Sequence, residues 1–352
     1  MHLFTPLRLR DLELKNRIVV SPMCEYSATD GHPSVWHLVH LGSRAVGGSA
    51  LVICEATAVQ AIGRISPEDT GIYLDSHVDA WKPIVDFIRS QGAAAGIQLA
   101  HAGRKGSTAA PWFGGNLVEP KSGGWTPVAP SAVPFAEGYA TPRELTLADI
   151  DQIVLDFEIA AQRALRAGFQ VAEIHAAHGY LLHEFYSPLS NFRTDDYGGS
   201  FDNRIRLLLR VVAAVRSVWP ETLPVFVRIS ATDWKQGGWD LSQSVELCRR
   251  LKQPGVDLVD VSSGGNVAGA AIPVGPGYQV EFASVIRRDA KIATGTVGMI
   301  TDPAQAETII GTGQADAVFL ARELLRDPYW PRRAAQQLGV KIKPPVQYER
   351  AW

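Results

Sequence analysis

Eight short apolar runs, separated by helix-like stretches along the whole chain, leave this sequence few possible folds. They are Ile18-Val19-Val20, Leu51-Val52-Ile53-Cys54, Ala95-Gly96-Ile97-Gln98-Leu99, Val171-Ala172-Glu173-Ile174, Val225-Phe226-Val227-Arg228-Ile229, Leu258-Val259-Asp260-Val261, Ile292-Ala293-Thr294-Gly295 and Ala317-Val318-Phe319-Leu320. Continuous apolar character, rather than strict alternation, suits parallel strands covered on both faces. The stretches between them carry helix ends. Thr146 to Asp149 has the spacing of a capping box, and the helix it starts runs to Arg166 and stops at Gly168. Asp302-Pro303 opens another with proline in its first turn. A third spans Asp75 to Ser90 and is closed by Gly92.

Eight β-then-α units predict an α/β chain closed into a single (β/α)8 TIM barrel over residues 1–352. A doubly wound sheet is the alternative, but Ser21-Pro22-Met23-Cys24 follows the first run with no GxGxxG. Residues 103–141 are rich in Gly and Pro and lie between the third strand and its helix. They are too many for an ordinary connection and predict a functional loop or lid.

Composition narrows the function. A formal net charge of -2 argues against broad attraction to nucleic acid or anionic membrane. No run of apolar residues is long enough to span a bilayer, and Met1 to Pro6 lacks the basic-then-apolar layout of a secretory signal. Three cysteines, Cys24, Cys54 and Cys248, give neither a CxxC nor a disulfide framework. A reducing, cytoplasmic setting is expected.

In a barrel of this kind the chemistry sits at the carboxyl ends of the strands. The first strand ends in Pro22, Met23, Cys24 and Tyr26, the second in Glu55, Ala56 and Thr57, and the third in Gln98 and His101. The fourth ends in His175-x-x-His178-x-Tyr180, and the fifth carries Arg228. The last three end in Ser262 to Gly265, Gly295 to Gly298, and Ala321-Arg322. Small residues that admit close backbone approach, with an arginine beside them, point to a phosphate. Gln98 and Arg228 are polar residues in apolar strands. A buried arginine needs a partner, either a carboxylate or a planar heterocycle that becomes anionic. A zinc site from His175, His178 and His183 departs from HExxH, and Cys24 as a nucleophile has no further residue specifying acyl transfer.

These residues match a known pattern. The chain resembles the Old Yellow Enzyme family of flavin-dependent ene-reductases, in its shorter, thermophilic-like branch of NADPH dehydrogenases. The likeness runs from Leu3-Phe4-Thr5-Pro6 and Ser21-Pro22-Met23-Cys24 through Gln98-Leu99-Ala100-His101-Ala102-Gly103-Arg104 and His175-Ala176-Ala177-His178-Gly179-Tyr180. It continues through Asp195-Asp196-Tyr197-Gly198-Gly199 to Arg322-Glu323-Leu324-Leu325-Arg326-Asp327-Pro328.

The resemblance implies a non-covalent FMN across the barrel mouth. Ser21, Pro22, Met23, Cys24 and Ala56 would line it, and Gln98 and Arg228 would meet its pyrimidine edge. Gly298, Ala321 and Arg322 would hold its phosphate, with Ala321 standing where many relatives have Gly. Cys24 would tune the flavin potential. NADPH or NADH would deliver hydride to flavin N5, and hydride would pass to the β-carbon of an enone, enal, maleimide or nitro compound. His175 and His178 would hold the carbonyl, Tyr180 would protonate the α-carbon and Tyr26 would contact substrate. The resemblance also implies a homodimer or homotetramer in which Arg350, near the end of an extended C-terminal tail, reaches a neighbouring subunit. The alternatives are a phosphate-binding barrel lyase or isomerase without flavin, and a non-catalytic barrel scaffold.

Overall fold

A computed structural model describes residues 1–352. Eight parallel strands close into a barrel: β1 (Ile18–Val20), β2 (Leu51–Ala58), β3 (Ala94–Ala100), β4 (Val171–Ala176), β5 (Val225–Ser230), β6 (Leu258–Ser262), β7 (Ala293–Thr296) and β8 (Ala317–Leu320). Closure is made by β8 on β1, with Val318 opposite Ile18. Each predicted apolar run lies in its strand, except that Ile292 precedes the first residue of β7. The reason is burial on both faces: β2, β3, β4, β5, β6 and β8 are buried at every position.

Alternation survives inside these runs as a choice between two cores. One set of side chains, including Val19, Leu51, Ile53, Val171, Phe226, Leu258 and Phe319, fills the barrel interior. The other, including Val20, Val52, Ala172, Ile174, Val227 and Val259, packs outward under the helices in a cluster of 70 residues. An antiparallel hairpin, Leu7–Leu9 with Leu12–Leu14, adds Leu7, Leu9 and Leu14 to the interior set. No expectation covered this hairpin.

The helical layer comprises α1 (Val35–Val46), α2 (Asp75–Ser90), α3 (Leu147–Ala167), α4 (Leu181–Tyr186), α5 (Phe201–Val218), α6 (Leu241–Leu251), α7 (Val280–Ala290), α8 (Pro303–Gly311), α9 (Arg322–Arg326) and α10 (Trp330–Gln337). The Thr146 capping box is present, and Gly168 closes α3 at φ 95°, a left-handed turn that glycine adopts without a Cβ clash. On α3, Ile150, Ile153, Phe157, Ala160, Ala161 and Ala164 recur at helical spacing and are buried. Burying a side chain such as Phe157 stabilises by about 1.5–3 kcal/mol. Residues 103–141 contain no α-helix, only three 3-10 turns and the short strand Val128–Ala129, which pairs with Arg143–Glu144.

Candidate active site

β4 ends at Ala176, and the turn that follows, with Gly179 at φ 74°, carries the candidate side chains His178 and Tyr180 beside His175. His175 is buried, while His178 and Tyr180 are half-buried. The His175 ring lies 5.3 Å from His178 and 5.0 Å from Tyr180, both edge-on. His178 has φ 60°, an unfavourable left-handed conformation for a non-glycine residue of the kind concentrated at functional sites. The turn is pressed against the loop after β6. A Cβ on Gly179 would meet the Gly265 carbonyl oxygen at 2.2 Å, and one on Gly265 would meet the His178 backbone at 2.6 Å. Lys105 crosses the same seam, donating to the carbonyls of His178 at 2.9 Å and Gly265 at 3.1 Å. Its ammonium stands 5.0 Å from the centre of the Tyr180 ring.

Burial, reinforced by the charge of Arg228, pushes the His175 and His178 imidazoles well below their usual range, so both are neutral. Burial pushes the Tyr180 phenol well above its usual range, so it keeps its proton. His175 Nδ1 has no protein partner. His178 Nε2 lies 2.7 Å from Ser262 Oγ.

Below the rim lies a buried polar layer. Gln98 Nε2 donates to Glu173 Oε1 at 2.8 Å, which leaves the Gln98 carbonyl oxygen free. Arg228 Nε stands 3.0 Å from Asp260 Oδ2 but is not aligned for a hydrogen bond, so the contact is an ion pair by distance. A cavity of about 330 Å³ continues from Arg228 past Tyr278 and Gly298 to Ala321 and Arg322. Gly298 has φ 126°, and a Cβ there would come within 2.9 Å of Tyr278 and Gln279. Arg322 is exposed at the outer end. The residues present fit a flavin mononucleotide. Ser21 Oγ, Arg228 Nε and Thr296 Oγ1 are buried without hydrogen-bond partners. The glycine-lined end with its arginine suits a phosphate.

Pro22, Met23 and Cys24 are half-buried where the chain leaves β1, and Ala56 is buried at the end of β2. Cys24, Glu55 and Asp69 bring one ligand atom each to within 4.8 Å of one another. Glu55 is occupied on both oxygens, by His37 Nε2 at 2.9 Å and by the Glu25 amide at 3.2 Å. Tyr26, half-buried at φ 46°, packs edge-on to Trp112 of the long loop at 5.5 Å. His183, weighed as a metal ligand, is not free. Its Nδ1 accepts the Gly179 amide at 3.0 Å, and its Nε2 lies 2.8 Å from Asp233.

Arg350 is not brought to the other site residues through any hydrogen bond or ion pair. It is exposed on a tail whose Trp352 stacks near Tyr329 and Arg332. Sequence reasoning passed over Lys105, Glu173 and Asp260. The first lies within the Gly103-Arg104-Lys105 stretch, and the other two are carboxylates inside strands otherwise read as apolar. That last feature was the available signal.

No helix is long and apolar enough to cross a membrane. The NADPH dehydrogenase of Geobacillus sp. (strain WCH70) is 52% identical over 352 residues, covering 99% of this chain and 98% of that one. That of Bacillus subtilis (strain 168) is 49% identical, covering 99% of each. Among solved structures, the old yellow enzyme homologue from Zymomonas mobilis superposes with a TM-score of 0.82 at 29% identity, covering 99% of this chain and 96% of that one. The family described as NADH:flavin oxidoreductase / NADH oxidase matches residues 2–341. With the site geometry and these relatives in agreement, the chain belongs to that family and is an FMN-dependent oxidoreductase of the Old Yellow Enzyme group that uses a nicotinamide donor.

Proposed function

We propose that the enzyme reduces the activated C=C bond of α,β-unsaturated carbonyl compounds, among them enones, enals and maleimides, and of nitroalkenes. One observation carries this reading. A neutral histidine with an unpartnered ring nitrogen, His175, lies 5.0 Å from a tyrosine that keeps its proton, Tyr180.

Gln98 and Arg228 would hold the pyrimidine end of FMN, with Ser21, Pro22, Met23, Cys24 and Ala56 along one side. Gly298, Ala321 and Arg322 would hold its phosphate. When bound, FMN supplies the two-electron chemistry, accepting hydride from NADPH or NADH and releasing it to the alkene. The chain's own residues do the rest. Ser262 Oγ lies 2.7 Å from His178 Nε2 and 3.3 Å from Gln279 Oε1; with its one proton on the shorter contact, the proton of the His178 ring sits on Nδ1, which then donates to a substrate oxygen. His175 provides the second donor. Two neutral donors aimed at one oxygen draw electron density from the β-carbon without protonating the substrate. Tyr180 delivers its phenolic proton to the α-carbon. Lys105 steadies that phenol from the ring face. Tyr26 and Trp112 would wall the substrate from water.

Tyr180→Phe tests the proton donor. Rapid-mixing kinetics should find flavin reduction by NADPH unchanged and alkene reduction slower by about 10²–10⁴-fold. Equal losses in both half-reactions would remove Tyr180 from the role.

We further propose a homodimer or homotetramer in which Arg350 enters a neighbour's site, supported by the exposure of Arg350 on the tail. Arg350→Ala should raise KM for carbonyl substrates roughly tenfold, as the loss of one charged hydrogen bond implies. Co-expression of Arg350→Ala with Tyr180→Phe chains should restore part of the activity. A monomer with full activity excludes the arrangement.

A further inference from the structure

Inside the barrel the packing changes character from one level to the next. The lower level is apolar and includes Ile53, Phe226 and Phe319. The level above holds Gln98, Glu173, Arg228 and Asp260, with Glu173 and Asp260 both at 0% exposure. Two carboxylates thus share a dry layer with a single guanidinium. Arg228 balances one of them, through the 3.0 Å contact with Asp260. Glu173 receives one hydrogen bond, from Gln98, and its Oε2 has no partner, like both oxygens of Asp260. A second uncompensated charge in such a place costs several kcal/mol, so the layer must carry a proton.

We propose that Glu173 and Asp260 hold one proton between them and take up a second when the flavin is reduced, so that this carboxyl dyad sets the proton count of the redox step. The inference rests on the pyrimidine end of FMN lying against Gln98 and Arg228. Reduction adds negative charge there, beside a guanidinium already committed to Asp260, and a proton on the dyad releases that guanidinium. The step balances. Hydride from NADPH carries two electrons and one hydrogen, and Asp260 takes one proton from solvent and returns it when hydride leaves for the alkene.

The groups facing the dyad are Gln98 from β3, Arg228 from β5 and the neutral ring of His175 above it on β4. From β8 comes the apolar Phe319. Burial dominates both members. It lifts Glu173 to about 8, with the charge of Asp260 adding and the charge of Arg228 and the hydrogen bond from Gln98 opposing. It lifts Asp260 to about 6 against Arg228. The pair therefore titrates as a unit near neutrality.

The midpoint potential of the holoenzyme flavin, followed from about pH 5.5 to about pH 9, tests this. Each proton taken up per two electrons moves the potential by about 30 mV per pH unit. The wild type should show about 60 mV per pH unit across a window around neutrality, and Asp260→Asn about 30 mV over the same window. A wild-type slope of about 30 mV throughout overturns the proposal. So does an Asp260→Asn slope like that of the wild type, because the second proton then sits elsewhere.

If Asp260→Asn does not fold, infrared difference spectra of the wild type decide. A carboxylic C=O band that rises on reduction and shifts in D₂O supports the dyad, and its absence overturns it. FMN content separates the two layers of the argument. Flavin-loaded protein without the second proton overturns the dyad and leaves the FMN site standing, whereas a wild type that binds no FMN overturns both.

Discussion

Five histidines sit within a short distance of the barrel rim, and they divide into two kinds. His37, His101 and His183 use both ring nitrogens. Each accepts a backbone amide at Nδ1, from Ser34 at 2.8 Å, Gly103 at 3.1 Å and Gly179 at 3.0 Å respectively. Each then places Nε2 on a side-chain oxygen, of Glu55 at 2.9 Å, Gln60 at 3.1 Å and Asp233 at 2.8 Å. His175 and His178 differ. His175 Nδ1 makes no hydrogen bond within the protein, and the His178 ring makes one, with Ser262. A histidine whose two nitrogens are satisfied is a structural tie. One left with a free nitrogen in a buried wall is prepared for a ligand, because an unmet buried polar atom is otherwise disfavoured.

The division can be broken by substitution. The largest effect should come from the rim pair. His175→Ala and His178→Ala should each lower alkene turnover by about 10²–10³-fold, with FMN content and unfolding midpoint near wild type. If either variant loses stability rather than turnover, that histidine belongs with the ties.

His183→Ala should do the reverse. It strips Asp233 of its ring partner in a site where both side chains are fully buried, at a cost of about 2–3 kcal/mol in denaturant unfolding. Unchanged stability with lost activity would place His183 among the reactive residues.

His101 gives the most pH-specific effect, absent at neutral pH. Burial lowers its pKa to about 4, so the folded protein excludes a proton that the unfolded chain binds below about 6.5. Its contribution is present above about pH 6.5 and is lost as pH falls toward 4. His101→Gln should therefore gain on the wild type by up to roughly 3 kcal/mol over that window. A stability difference that stays constant with pH would show that His101 does not titrate this way.

The two kinds could not be separated in the amino-acid sequence. His175, His178 and His183 lie within nine residues, and nothing in their spacing shows which ring is engaged by Asp233, fifty positions away in sequence. What marked His175 and His178 as candidates was their position just after an apolar strand, together with the family pattern. The strands themselves were legible because burial on both faces leaves continuous apolar runs. Alternation between the two cores was hidden for the same reason, so Glu173 and Asp260 read as interruptions rather than as interior groups. The N-terminal hairpin was missed because each of its strands has three residues, too few for periodicity. The long loop was recognised by length and by Gly and Pro, but that it sets Trp112 against Tyr26 depends on three-dimensional packing.

The pairing of β8 with β1 has a consequence for synthesis. Ile18 meets its partner Val318 only after 300 further residues have been made. At about 5–20 residues per second the ribosome needs roughly 15–60 s to reach that point. Throughout that interval the first strand lacks one neighbour, and the leucines of the hairpin that precedes it lack the interior they fill in the finished barrel. The nascent chain thus carries an unpaired edge near its beginning until nearly all of it has been translated, and holdase chaperones that bind exposed apolar segments should find their target there.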